Sequence, residues 1–183
     1  MTTTSPRPSA TDWSLGQYEL TAVQLMPAAR AAAAEMARVA GPVGRILLTA
    51  WLSGGAVYEA ARTAHETVAR VRGTPQGPPP FAWHEREALD GVFGPLGYVT
   101  TLQEHALAFT AASVREYLDG EFQHHPHWLA ARAVLGPRGE FEAFRRCLLA
   151  ILTAGNEDRS AFRSTSRYVV VSCRRELKDG SKA

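Results

Sequence analysis

The stretch GPVGRILLTAWLSGG, residues 41–55, decides how the rest of the chain is interpreted. A glycine turn leads into an apolar run over 45–52, and a glycine pair leads out of it. The run has no alternation of polar and apolar residues, which is typical of a strand covered on both faces, as in a parallel sheet. The stretch therefore predicts a buried strand that is followed by a helix.

The composition excludes several classes of function. A chain of 183 residues suits one domain with its own core, and a net charge of +2 does not indicate a nucleic-acid partner. No apolar run is long enough to cross a bilayer, and the first residues lack the hydrophobic segment of a signal peptide. We therefore expect no membrane partner and a cytoplasmic location. In that compartment Cys147 and Cys173 are expected to be buried thiols and not a disulfide.

Apolar periodicity predicts two further strands, over 97–108 and 167–174, and about six helices. Gln103-Glu104-His105 indicates a bend or bulge in the first of these strands. The helices are expected at 15–40 with a kink at Pro27, 56–72, 84–93, 113–122, 126–135 and 140–153. Residues 1–11 are predicted to be a disordered tail and 74–80 a stiff connector, so 12–183 would form one domain. The expected fold class is α/β, with an α+β appearance.

Three stretches carry a resemblance to a known family. They are GPVGRILLTAW, PPFAWHEREALDGVFGPLGYVTTLQEHALAFTA and GNEDRSAFRSTSRYVVVSCRR. In order and spacing they resemble the C-terminal half of class I S-adenosylmethionine-dependent methyltransferases of small molecules. The resemblance implies that they form the fifth, sixth and seventh strands of a Rossmann-like sheet, with a lid-like helical insertion. The segment Asp12 to Arg30 resembles the helix that lies over the cofactor in that family.

The first four strands of the family are missing, because the segment Asp12 to Arg30 runs directly into the helix before the fifth strand. Those strands carry the glycine-rich loop and the acidic residue that hold the cofactor. The resemblance therefore implies a truncated remnant with no cofactor site and no tight binding of S-adenosylmethionine. It also implies that the edge of the strand 45–52 is exposed. Two copies are expected to pair there as a homodimer, and a methyltransferase partner is an alternative occupant.

Histidines, one carboxylate and a set of aromatic side chains are the candidate site residues. By resemblance, His84 lies where the family faces its acceptor substrate and is a candidate general base near neutral pH. His125 is a second candidate acid–base catalyst, with Glu121 as a carboxylate near it. The run EFQHHPHW also invites a zinc interpretation, but its spacing is poor for one site, and we predict no metal. By resemblance, an apolar acceptor pocket is expected to be lined by Trp51, Tyr58, Trp83, Phe109, Tyr117, Phe122, Trp128 and Arg132. A solvated loop and ordinary core packing remain the alternatives.

Two classes of function follow from these expectations. In the first, the chain is a cofactor-independent enzyme of specialised metabolite biosynthesis that acts on a small apolar or polycyclic molecule. Cyclisation, dehydration and isomerisation need only orientation and proton transfer. In the second, the chain is a non-catalytic subunit of a full-length methyltransferase. Methyl transfer by the chain itself is a further alternative.

Overall fold

A computed structural model describes residues 29–73 and 81–176, except for the side chains of 126 and 127. The predictions for the tail 1–11, for the segment 12–28 and for the connector 74–80 lie outside the described residues. Six α-helices and three strands occur in the described residues, as the sequence predicts, and the fold is mixed α/β. The helices are α1 (Ala29–Ala40), α2 (Ala56–Arg72), α3 (Arg86–Phe93), α4 (Val114–His124), α5 (Pro126–Leu135) and α6 (Phe141–Ala154), and the strands are β1 (Arg45–Trp51), β2 (Tyr98–Ala111) and β3 (Phe162–Arg175).

The three strands form one antiparallel sheet in the order β1-β3-β2. The expectation of a strand covered on both faces, as in a parallel sheet, is therefore wrong for β1. Its residues alternate between buried and exposed, and Leu47 is 58% exposed in the middle of the apolar run. The expected bulge at Gln103-Glu104-His105 is also absent, because β2 pairs with β3 without interruption from Tyr98 to Ala111.

The central strand β3 buries opposite faces in its two halves. Its C-terminal half turns Val169, Val171 and Cys173 into a cluster with α1, α3 and β1. Its N-terminal half instead turns Phe162 into a second cluster with α2, α4, α5 and α6. Because alternate side chains of a strand point to opposite faces, the two clusters lie on opposite sides of the sheet. We call the side of the sheet that carries Phe162 and Tyr168 the upper face; its β1 half is left uncovered by the described helices.

Local chemistry explains where several helices begin and end. Gly73 ends α2 in a left-handed conformation, and its N–H bonds to the last carbonyls of the helix. Ser113 begins α4, where its hydroxyl accepts the N–H of Glu116. Cys173 is buried as expected, whereas the expectation for Cys147 is wrong, because this thiol lies on the exposed side of α6.

The strand β1 lies at one edge of the sheet, as the sequence analysis predicts. The N–H of Leu52 donates to the carbonyl of Arg167, the residue in register with it on β3. Bonding alternates along an antiparallel pair, so the backbone groups of Arg45, Leu47, Thr49 and Trp51 point away from β3, to an edge that no other strand in the described ranges pairs with; we call it the free edge. Two exposed apolar residues precede this strand: Val39 is 71% and Val43 92% exposed.

No helix in the described ranges is both long and apolar enough to cross a membrane.

Candidate functional site

Three aromatic side chains form a row across the upper face of the sheet. Trp51 on β1 lies opposite Tyr168 on β3, which in turn lies opposite His105 on β2. The Trp51 and Tyr168 rings meet edge to face with centroids 5.6 Å apart, and the Tyr168 and His105 rings stack at 5.5 Å. Trp51 and Tyr168 do not exchange backbone bonds, which brings their side chains close together. We call Trp51, Tyr168 and His105 the aromatic row.

A shallow depression of about 220 Å³ lies beside the aromatic row. It is lined by Thr49, Ala50, Trp51, Leu107 and Tyr168, and Leu107 is 46% exposed. A partly exposed surface of this kind can hold one face of a flat apolar molecule, because tyrosine and tryptophan rings offer a large contact area and lose little side-chain entropy on binding. A second shallow depression, beside α4, is lined by polar and charged residues and lacks such an apolar surface.

Four of the aromatic residues predicted from the sequence lie near this end of the sheet. Trp51 contacts Phe109 with ring centroids 6.0 Å apart, and Phe109 contacts Tyr117 at 6.3 Å. The hydroxyls of Tyr58 and Ser53 are 3.3 Å apart, just after β1. Burial, together with the neighbouring carboxylate of Glu121, raises the pKa of the Tyr117 phenol above its usual range. This phenol therefore stays protonated at physiological pH.

The predicted carboxylate Glu121 is engaged in the packing between α4 and α5. Its Oε2 accepts the indole N–H of Trp128 at 2.7 Å, and Trp128 is itself buried. Phe122 packs edge to face on Trp128 at 5.6 Å, while the Arg132 guanidinium lies 5.7 Å from the centre of the Phe141 ring. These predicted site residues therefore lie in the second cluster or at its rim and not on the aromatic row.

The predicted histidines lie on different elements. His84 precedes α3, with its Nε2 3.8 Å from the Glu85 carboxylate, beside Trp83 in the cluster below the sheet. Trp83 is 2% exposed, contacts the Phe81 ring at 4.7 Å, and its indole N–H has no hydrogen-bond partner among the described residues. His125 ends α4 above the sheet, where its ring is 6.5 Å from that of Trp128. The fold therefore does not place these two histidines at one site.

The pair Glu104-His105 divides between the two faces of β2, as alternation along a strand predicts. The Glu104 carboxylate bonds to the Arg167 guanidinium at 2.6 Å on the lower face, while His105 stacks on Tyr168 on the upper face. The two side chains therefore do not form an acid–base dyad. No group of three or more histidine, cysteine, aspartate or glutamate side chains in the described ranges is arranged to hold a metal ion.

Sequence reasoning missed Tyr168 and the role of His105 in the aromatic row. Both residues stand in predicted strands, but only the pairing of β2 and β3 brings them together, and that pairing joins residues 63 positions apart. The available signal was that Tyr168 is the one aromatic side chain in RYVVVSC.

The chain matches no protein-family model and no curated protein sequence.

Proposed function

We propose that this protein descends from a methyltransferase of small molecules and binds a small, flat, apolar molecule on the aromatic row. The observation that carries the proposal is the alignment of Trp51, Tyr168 and His105 across three strands, beside an apolar depression. Support for the family comes from the three strands, which occur in the three stretches that resemble the family. The position of β1 at an edge of the sheet is also what a missing fourth strand implies.

The proposed activity is a reaction that needs no cofactor, such as a cyclisation, dehydration or isomerisation. Histidine donates and accepts protons near neutral pH, and His105 ends the aromatic row with its ring plane held by Tyr168. A substrate stacked on Trp51 and Tyr168 would be oriented before the proton moves, and orientation alone lowers barriers substantially. His84 and His125 stay predictions as catalysts, and they lie on elements away from this row.

The test measures the binding of a neutral flat probe, naphthylmethanol, through the quenching of tryptophan fluorescence. Removing the ring with Tyr168→Ala is expected to weaken binding about two- to tenfold, because an aromatic contact contributes about 0.5–1.5 kcal/mol. Val99→Ala is the matched control, since Val99 is 51% exposed on the same face but far along β2 from the row. Equal losses in both variants, or no binding by the wild type, would contradict the proposal.

A second candidate function is favoured by the free edge of β1. In this alternative the chain is a non-catalytic subunit that adds its sheet to a methyltransferase or to a second copy of itself. Extended strands with unpaired N–H and C=O groups recruit other strands, and four residues of β1 present such groups. The two candidates are separable, because a substitution that blocks the edge of β1 leaves Tyr168 in place.

A further inference from the structure

A buried hydroxyl on β3 lacks a partner beside the aromatic row. Ser166 is 4% exposed, and its Oγ has no hydrogen-bond partner among the described residues. Buried polar groups are nearly always paired, because leaving one unpaired costs free energy. The hydroxyl of Ser166 is therefore a candidate for a ligand contact.

The register of the sheet places Ser166 between the positions that face two aromatic residues. Trp51 lies opposite Tyr168, two residues after Ser166 on β3, and Phe109 lies opposite Ser164, two residues before it. The two rings come from the strands on either side and meet with centroids 6.0 Å apart. Ser166 therefore lies on β3 between the two positions that face these rings.

The same hydroxyl lies near the N-terminus of α2. Its Oγ is 3.7 Å from the point that a β-carbon on Gly55, the residue before this helix of 17 residues, would occupy. The Thr165 carbonyl oxygen is 2.8 Å from the same point, so the ligand must fit beside this backbone oxygen. The first helical bond runs from the N–H of Glu59 to the carbonyl of Gly55. The preceding N–H groups have no acceptor within the helix, and together with the helix dipole they favour a negative charge.

We propose that the ligand carries a carboxylate, which binds between the N-terminus of α2 and the hydroxyl of Ser166. Its flat apolar part lies against Trp51 and Tyr168. The carboxylate accepts the Ser166 O–H and the first N–H groups of α2, and it replaces the contact between the Trp51 and Phe109 rings. This inference rests on the proposed function and adds to it the class of substrate, a flat apolar carboxylate.

The test compares naphthoate with the neutral probe naphthylmethanol at fixed ionic strength, by calorimetry or tryptophan fluorescence. The wild type is expected to bind naphthoate about tenfold more tightly, since hydrogen bonds to a charged group are stronger than neutral ones. Ser166→Ala is expected to remove most of this preference while the affinity for naphthylmethanol stays unchanged. The same variant should unfold at equal or higher denaturant concentration, because it removes an unpaired buried hydroxyl.

Ser164→Ala is the matched control. Ser164 is also fully buried with an unpaired Oγ on the same face of β3, but it lies opposite Phe109 in the second cluster. This variant is expected to bind both probes as the wild type does. Equal affinity of the wild type for the two probes, or an unchanged preference in Ser166→Ala, would overturn the carboxylate site and leave the aromatic row standing. Failure of both probes to bind would overturn both proposals.

Discussion

The free edge of β1 leads to a specific prediction about assembly. Thr49 stands in the middle of this edge, with its N–H directed away from β3. Thr49→Pro removes that N–H and leaves the bonds from Ile46, Leu48 and Ala50 to β3 in place, and edge strands accept proline in this position. If two copies pair through β1, this variant is expected to stay folded and to dimerise more weakly than the wild type.

The magnitude follows from the hydrogen bonds that are lost. One net hydrogen bond contributes about 0.5–1.5 kcal/mol, and a two-fold axis makes the substitution act twice in each dimer. The loss of about 1–3 kcal/mol corresponds to a dimer that dissociates about 5- to 150-fold more readily. The clash between the proline ring and the neighbouring strand adds to this loss.

Light scattering coupled to size-exclusion chromatography over a range of protein concentrations measures the effect. Thr49→Val is the matched control, because it keeps the backbone N–H and the shape of the side chain, and its dimer should dissociate as the wild type does. Circular dichroism checks that the proline variant is folded. A wild type that stays monomeric at high micromolar concentration would refute self-pairing, as would equal dimerisation of the proline variant.

Three further predictions concern the rest of the fold. Cys147 is exposed, whereas burial raises the pKa of the Cys173 thiol to about 11. Alkylation of the native chain at pH 8 should therefore modify one cysteine, which mass spectrometry would detect. Two modified cysteines would contradict the burial of Cys173. Hydrogen bonds from the hydroxyl and N–H of Thr165 lower the pKa of the Glu157 carboxyl. The contribution of Glu157 to stability is therefore present above its ordinary pKa and is lost as the pH falls through the lowered pKa. Between pH 7 and 3, the denaturation midpoint should fall less steeply for Glu157→Gln than for the wild type. Leu148 is fully buried in the second cluster, so Leu148→Ala should reduce the free energy of unfolding in urea by about 2–5 kcal/mol, and a loss below about 1 kcal/mol would show that the cluster packs loosely.

The number and placement of the elements could be predicted from local patterns, because glycines and apolar periodicity mark where strands and helices begin and end. The direction of the strands could not. Leu47 is exposed in the middle of an apolar run, and composition alone does not distinguish such a strand from one covered on both faces. The sequence also predicts β3 only over 167–174, because buried serines at 164 and 166 in its first half do not resemble a core pattern.

The candidate site was predictable only in part. Trp51 and Phe109 were identified because they are aromatic and stand near strand ends. Tyr168 and His105 required the pairing of distant strands, which no local pattern contains. The proposed role of Ser166 depends on the close approach of Gly55 to β3, where a β-carbon would come within 2.8 Å of the Thr165 carbonyl oxygen.

The exchange of buried faces along β3 has a consequence for how the chain selects its alignment. A slip of β3 by one residue against its neighbours would turn Val171 towards water at one end and Phe162 towards water at the other, because side chains alternate. Each misaligned sheet therefore loses two hydrophobic contacts on opposite sides at the same time. Because both clusters are lost together, β3 has one favourable alignment with its neighbours even though its valines are interchangeable. A substitution that disrupts one cluster is therefore expected to weaken the other, since both depend on the same alignment of β3.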